Sequence, residues 1–280
     1  MTQVDAQSPH AQREERMIEH NGHKTFVSKL GSGPPVVFLH GFPDSGEVWS
    51  DIIRALSSEY TCYAIDLPGL GRSIPAKGTR FRLEAQSELF SQILEGLELS
   101  QPFHLVVHDL GAFMGLSFAS DHPERIRSLS IFNSDFHSDF TWYFWAKIWR
   151  TPIIGECAMY VSSFSIFVKE MQNGSKKLSI PYLRSVYDNI SFYNRRMALK
   201  HFRAWNKADL ELYEKRYEIN TKEIPKHVFW GKLDPYSPEE YAERFGTSDV
   251  TYSEDSGHWL MIEEPELVKD GLRAFLRKHS

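Results

Sequence analysis

The sequence predicts an α/β protein with a mostly parallel sheet covered by helices on both faces. Three observations carry this expectation. Residues 36–39 are a short, continuous apolar run, 103–108 open as an apolar run rich in β-branched residues, and 126–132 read as another buried strand, the pattern of strands covered on both sides. Stretches with helical periodicity at 47–58, 83–97 and 110–121 lie between these runs, so strands and helices alternate as in a doubly covered parallel sheet. His40, Asp109 and Asn133 each stand at the end of an apolar run, where open α/β sheets bind their ligands.

The 280 residues fit one large α/β unit. A net charge of −5 gives no reason to expect nucleic acid or an acidic membrane as partner. No apolar run approaches the roughly 18 residues needed to span a bilayer. Residues 1–16 are polar and lack an apolar signal core, so they are expected to be a disordered lead-in to a cytoplasmic protein. The two cysteines, Cys62 and Cys157, are far apart and show no ligand spacing, which predicts neither a disulfide framework nor a metal site. No cofactor is expected, and the sequence does not specify an oligomeric state.

Taken in order, residues 24–30 alternate like a strand and 31–34 form a Gly/Pro turn. The 36–39 strand ends in His40-Gly41-Phe42-Pro43, followed by the 47–58 helix. Residues 60–65 are the next strand, closing on Asp66-Leu67-Pro68-Gly69-Leu70-Gly71-Arg72-Ser73. That spacing matches no phosphate-binding loop, so the turn is read as structural. The 83–97 helix leads to the 103–108 strand, which breaks at Asp109 and resumes as a helix with Gly111, Ala112 and Gly115 in its first turns. From 134 to 221 strand runs stop, and helical segments dense in aromatics take over. This stretch is expected to be a helical cap, or lid, inserted in a core formed by 17–133 and 222–280. The sheet resumes at 226, with Asp234 just past the strand end. Residues 250–252 form a last strand leading to Ser256-Gly257-His258-Trp259-Leu260, and a 265–278 helix opens on Pro265.

Asp109 sits where a strand turns sharply into a helix, which lifts the corner residue out of the sheet and points backbone N–H groups at it. Asp is also a favoured helix cap, and the rest of the chain decides between these readings. Asp109, Asp234 and His258 follow one another in the order nucleophile, acid, histidine, each at or just past a strand end. With His40-Gly41-Phe42-Pro43 and the helical insertion, the chain from about 24 to 278 resembles an α/β-hydrolase. In Val107-His108-Asp109-Leu110-Gly111 an aspartate replaces the serine of Gly-x-Ser-x-Gly. This resembles the aspartate-nucleophile branch, which includes epoxide hydrolases, haloalkane dehalogenases and fluoroacetate dehalogenases.

The resemblance implies a cofactor-independent hydrolase that forms an alkyl ester on Asp109. His258 would be the base, Asp234 the acid that orients it, and the backbone N–H groups of Phe42 and Leu110 the oxyanion hole. Its partners would be a small apolar substrate and water. His40, Trp142, Tyr143, Tyr160, Tyr193, Phe202 and Trp259 are the expected substrate-site residues, with His40 also bracing the oxyanion loop. Signals for the leaving group conflict. Haloalkane dehalogenases carry Trp after the nucleophile and often a polar residue after His-Gly, where this chain has Leu110 and Phe42. Epoxide hydrolases carry His-Gly-Phe-Pro but also two cap tyrosines, and Phe202 occupies the place of the second. Tyr193 and Tyr160 are its possible replacements, and Trp142 or Tyr143 the possible halide donors. Epoxide hydrolysis is the leading expectation, dehalogenation the alternative, and a catalytically retired ligand-binding fold the non-enzymatic one.

Overall fold

The computed structural model describes residues 13–280. Eight strands form one sheet: β1 (Glu14–His20), β2 (His23–Leu30), β3 (Pro35–Leu39), β4 (Thr61–Ile65), β5 (Phe103–His108), β6 (Ile126–Phe132), β7 (Lys226–Gly231) and β8 (Val250–Ser253). Their order across the sheet is β1-β2-β4-β3-β5-β6-β7-β8. The β1–β2 and β2–β4 pairs are antiparallel, and all pairs from β4 to β8 are parallel.

The apolar runs explain the layers. Along β3, Val37 and Leu39 enter one core while Val36 and Phe38 enter the other, the period-2 alternation of a strand covered on both sides. In β5, Leu105 and Val107 face the first core and Val106 the second; in β7, Val228 and Trp230 oppose Phe229 in the same way. Helices α2 (Leu83–Gly96) and α3 (Leu110–Asp121) fill the first face, and α1 (Ser50–Leu56) and α11 (Pro265–Lys278) the second. In α11 the buried residues are Val268, Leu272, Phe275 and Leu276, one stripe at helical spacing. Each fully buried side chain of this kind contributes about 1.5–3 kcal/mol of transfer free energy. The chain supplies close approach where helix meets sheet: a Cβ on Gly115 would lie 2.6 Å from the Val107 side chain, so α3 rests directly on β5.

Between β6 and β7 lie six helices: α4 (Phe144–Arg150), α5 (Ile154–Val161), α6 (Phe164–Gly174), α7 (Ile180–Asn189), α8 (Phe192–Ala204) and α9 (Lys207–Asn220). The sequence marks several of their starts. Ser163, Ser179, Ser191 and Asn206 each accept a backbone N–H of the following turn, as capping residues do. A four-residue helix α10 (Leu260–Glu263) follows β8. No helix among the described residues is long and apolar enough to cross a membrane.

Two expectations need correction. The lead-in does not extend to residue 16, because residues 14–20 are the edge strand β1, paired in register with β2. An edge strand is largely solvated, so its polar composition looks like a tail; Ile18 is its one buried residue. Residues 1–12 of the expected lead-in lie outside the described residues. The 47–58 helix is also shorter than expected, since Gly46–Trp49 forms a 3₁₀ turn before α1.

Candidate active site

β5 ends at His108 and α3 begins at Leu110, leaving Asp109 alone to make the turn, at φ 47° and ψ −120°. A non-glycine residue in the left-handed half of backbone space costs about 1–3 kcal/mol and persists only where its surroundings over-determine it. Those surroundings are tight. A Cβ on Gly41 would collide with the Asp109 carboxylate, and one on Gly111 would sit 2.7 Å from the carbonyl oxygens of Leu39 and His40. The Phe42 N–H donates to Asp109 Oδ2 at 2.8 Å. Burial raises the Asp109 pKa, and this rise is partly offset by His258 and by the backbone N–H groups of Phe42 and Leu110. The two predicted oxyanion-hole donors thus already face the carboxylate.

Asp234 follows β7 and His258 follows β8, and the chain brings them together: His258 Nδ1 lies 2.7 Å from Asp234 Oδ2. Asp234 is saturated with donors. Its Oδ2 also accepts from Asn133 Nδ2 at 2.9 Å, while Oδ1 accepts the Tyr236 N–H at 2.8 Å and the Ser237 N–H at 3.3 Å. Asn133 is anchored in turn by Gly231, whose N–H donates to Asn133 Oδ1 at 3.0 Å. Burial pulls the His258 imidazole down, but the Asp234 carboxylate, followed by Asp109 and Asp135, raises it to about 9. This lies above the ordinary value of 6.5, so ionised His258 contributes stability in full below pH 6.5 and loses it as pH rises through 9. Asp109→Asn removes one of the raising charges, so His258 is expected to titrate below its wild-type value in that variant. NMR titration of the imidazole checks this, and an unchanged value would remove Asp109 as a charge partner.

A cavity of about 1250 Å³, including its open mouth, lies between the sheet ends and the inserted helices. Asp109, Leu110, Phe42 and His258 line it, with Trp142, Tyr143, Phe202 and Trp259 from the expected substrate set. Three expected members do not belong there. Tyr160 is 75% exposed and stacks on Phe192 at the surface, and Tyr193 is 39% exposed and outside the wall. Both sit on outward faces of their helices, which aromatic content alone could not distinguish from inward ones. His40 is wholly buried below the oxyanion loop. Its Nδ1 donates to the Gly41 carbonyl at 2.7 Å and its Nε2 accepts the Leu67 N–H at 2.9 Å. Those roles require a neutral ring, and burial lowers its pKa, so His40 braces the loop and does not meet substrate.

A sequence model described as the alpha/beta hydrolase fold matches residues 34–265. The chain belongs to this family. The acetyltransferase component (dihydrolipoyllysine-residue) of an acetoin cleaving system from Pseudomonas putida is 27% identical over 252 residues, 88% of this chain and 64% of that protein. The chain therefore spans just under two thirds of that relative. Mouse epoxide hydrolase 4 is 26% identical over 278 residues, covering 88% of this chain and 74% of that protein. Among solved structures, the Cif epoxide hydrolase from Acinetobacter nosocomialis superposes with a TM-score of 0.83 at 22% identity, covering 97% of this chain and 90% of that one.

Sequence reading missed several residues of the cavity. Tyr236 and Trp145 line the wall and both donate to Glu170, at 3.0 and 2.8 Å. Tyr236 lies two residues past Asp234, a position that could have drawn notice. Asp135 is also in the wall and only 8% exposed; the Ser237 hydroxyl donates to its Oδ2 at 2.7 Å, and Oδ1 has no partner among the described residues. Burial pushes the Asp135 carboxyl well above the usual range. Tyr143 packs on Tyr236 at 4.6 Å between ring centroids. Burial, then the neighbouring Asp109 charge, lifts its phenol well above 10. His108 turns to the face carrying Trp49, and its Nε2 donates to the His258 carbonyl at 3.0 Å.

Proposed function

We propose that this alpha/beta hydrolase opens epoxides through a covalent ester on Asp109, with residues 134–221 as the cap over the site. The observation that carries the reading is a carboxylate, not a hydroxyl, on the strained turn after β5, facing an aromatic cavity. A carboxylate attacking an ester would give a reactive anhydride, whereas attack on a saturated epoxide carbon gives a stable ester. In this scheme an Asp109 oxygen bonds to carbon as the epoxide C–O bond breaks, and the Tyr143 hydroxyl protonates the released oxygen. Esterification removes the Asp109 charge, which eases ionisation of Tyr143 and lowers His258 toward the neutral form. His258 then takes a proton from water, whose oxygen adds to the ester carbonyl. The Phe42 and Leu110 N–H groups hold the resulting oxyanion. On collapse the leaving alkoxide takes the proton of the added hydroxyl, which releases a diol and restores the Asp109 carboxylate, and the proton on His258 returns to the Tyr143 phenolate. Asp234, held by Asn133, keeps the imidazole oriented.

Dehalogenation is the second reading, favoured by the indoles of Trp142 and Trp149 in the wall. Against it, the wall also carries Asp135 and Glu170, and a departing halide would share the cavity with acid groups. The position after the nucleophile offers only Leu110. The deciding test is Tyr143→Phe in single-turnover kinetics with an epoxide. Ester formation is expected to slow by about 10²-fold or more, as for loss of a general acid, with ester hydrolysis unchanged. Ester formation at the wild-type rate would count against Tyr143 as the donor.

A further inference from the structure

The imidazole of His258 is oriented by Asp234, but the main chain beneath it is held from the inserted helices. The His258 N–H donates to the Gly174 carbonyl at 2.9 Å, and the Trp259 N–H donates to the Ser175 hydroxyl oxygen at 2.9 Å. Both acceptors lie where α6 ends. One residue earlier, the Gly257 N–H donates to Glu263 Oε2 at 2.6 Å. The same oxygen accepts the Ser175 hydroxyl at 2.8 Å, and Glu263 Oε1 accepts the Lys177 N–H at 3.1 Å. A single carboxylate at the end of α10 therefore gathers donors from two separate turns, 174–177 and 257–259. The joint has no slack: a Cβ on Gly257 would overlap the Gly174 carbonyl, and one on Gly174 would lie 2.6 Å from Tyr236 and 2.7 Å from Trp259.

We propose that Glu263 is a positioning residue for the base: its carboxylate clasps the 174–177 turn to the 257–259 turn and so fixes where His258 meets water. Removing it leaves three donors without their acceptor. The His258 main chain keeps its own bonds, to the Gly174 carbonyl at its N–H and to His108 at its carbonyl, but the turns that carry them are no longer tied together through Glu263. Asp109 is held by Phe42, Leu110 and its own turn, none of which touches the clasp. Loss of the clasp therefore slows the His258 step and spares the Asp109 step.

The inference rests on the Asp109-ester reading only for which step slows, and the test separates the two. In folded Glu263→Ala, hydrogen exchange at the amides of Gly257, His258 and Trp259 is expected to rise ~10-fold or more, as for local opening. The low-field Nδ1–H resonance of His258 is expected to shift or weaken, while amides in β5 keep their protection. With an epoxide that reacts, kcat and KM are expected to fall together by about 10²-fold, the scale of a misplaced catalytic group, with kcat/KM nearly unchanged because the ester still forms. Glu263→Gln, which keeps one amide oxygen as acceptor, recovers part of both effects. Glu264→Ala is the control, since it loses only a surface ion pair to Lys177. Wild-type exchange and an unmoved His258 resonance in Glu263→Ala overturn the proposal. Faster exchange with an unmoved resonance overturns it too, because the clasp would then serve the fold alone. If no substrate forms an ester even in the wild type, the Asp109 reading fails while exchange and resonance still decide the clasp.

Discussion

Asp109→Ala is expected to abolish turnover, with kcat falling by about 10⁴-fold or more, the scale seen when a nucleophile that acts as part of a unit is removed. The remaining machinery cannot substitute for it. His258 carries no route to a covalent ester here, and Asp135 and Glu170 are already engaged with Ser237 and with Tyr236 and Trp145. The fold is expected to survive, because the variant also removes a carboxylate whose burial costs free energy. Steady-state assays alongside thermal unfolding separate the two effects. Lost activity with an unchanged or raised midpoint supports a catalytic role. Lost activity with a collapsed midpoint would make Asp109 a structural cap, and retained turnover would remove it from the chemistry. The same variant tests the non-enzymatic reading, which predicts ligand binding and no turnover in either protein.

Asp234→Asn is expected to be nearly as damaging, lowering kcat by about 10⁴-fold, as when an orienting acid is made an amide. The reason is local. Every group facing the Asp234 carboxylate is a donor: His258 Nδ1, Asn133 Nδ2, and the N–H groups of Tyr236 and Ser237. An amide brings its own N–H₂ into that ring, so no rotamer satisfies all four. His258 would lose the charge that most strongly raises it and would titrate well below 9. Breaking a buried pair from one side also destabilises by about 3–5 kcal/mol, which urea unfolding would report. Wild-type kcat with an unshifted His258 would refute the assignment.

How much of this was legible in the sequence depends on how local the physics is. β3, β5 and β7 were legible because strands covered on both faces carry consecutive apolar residues, here 36–39, 105–107 and 228–230. The turn at Asp109 was legible because a strand run, a carboxylate and the small residues Gly111 and Ala112 are adjacent in the chain. The pairing of Asp234 with His258 followed from their order at successive strand ends. Edge strand β1 was not legible, since a solvated strand of Glu, Arg and His has the composition of a tail.

The cavity wall was legible only in part. Trp142, Tyr143 and Phe202 could be placed by their neighbours in the chain, but Tyr160 and Tyr193 show that a ring on a short helix is as readily turned outward. Asn133 was read only as a residue at a strand end. Its bond to Asp234 spans 101 positions, and no local pattern encodes such a contact. The same holds for Glu263, whose partners Ser175 and Lys177 lie 88 and 86 residues away.

The most direct test of the central claim is a single turnover of His258→Gln, followed by intact-protein mass and peptide mapping, with a panel of epoxides, haloalkanes and haloacids. With the base removed, the first step runs and the second stalls. The account predicts a mass gain equal to a whole epoxide, mapped to Asp109. A gain equal to an alkyl group, with halide lost, would keep Asp109 and shift the reaction to dehalogenation. An unchanged mass across a panel that labels established epoxide hydrolases, or an adduct on any other residue, would contradict the account.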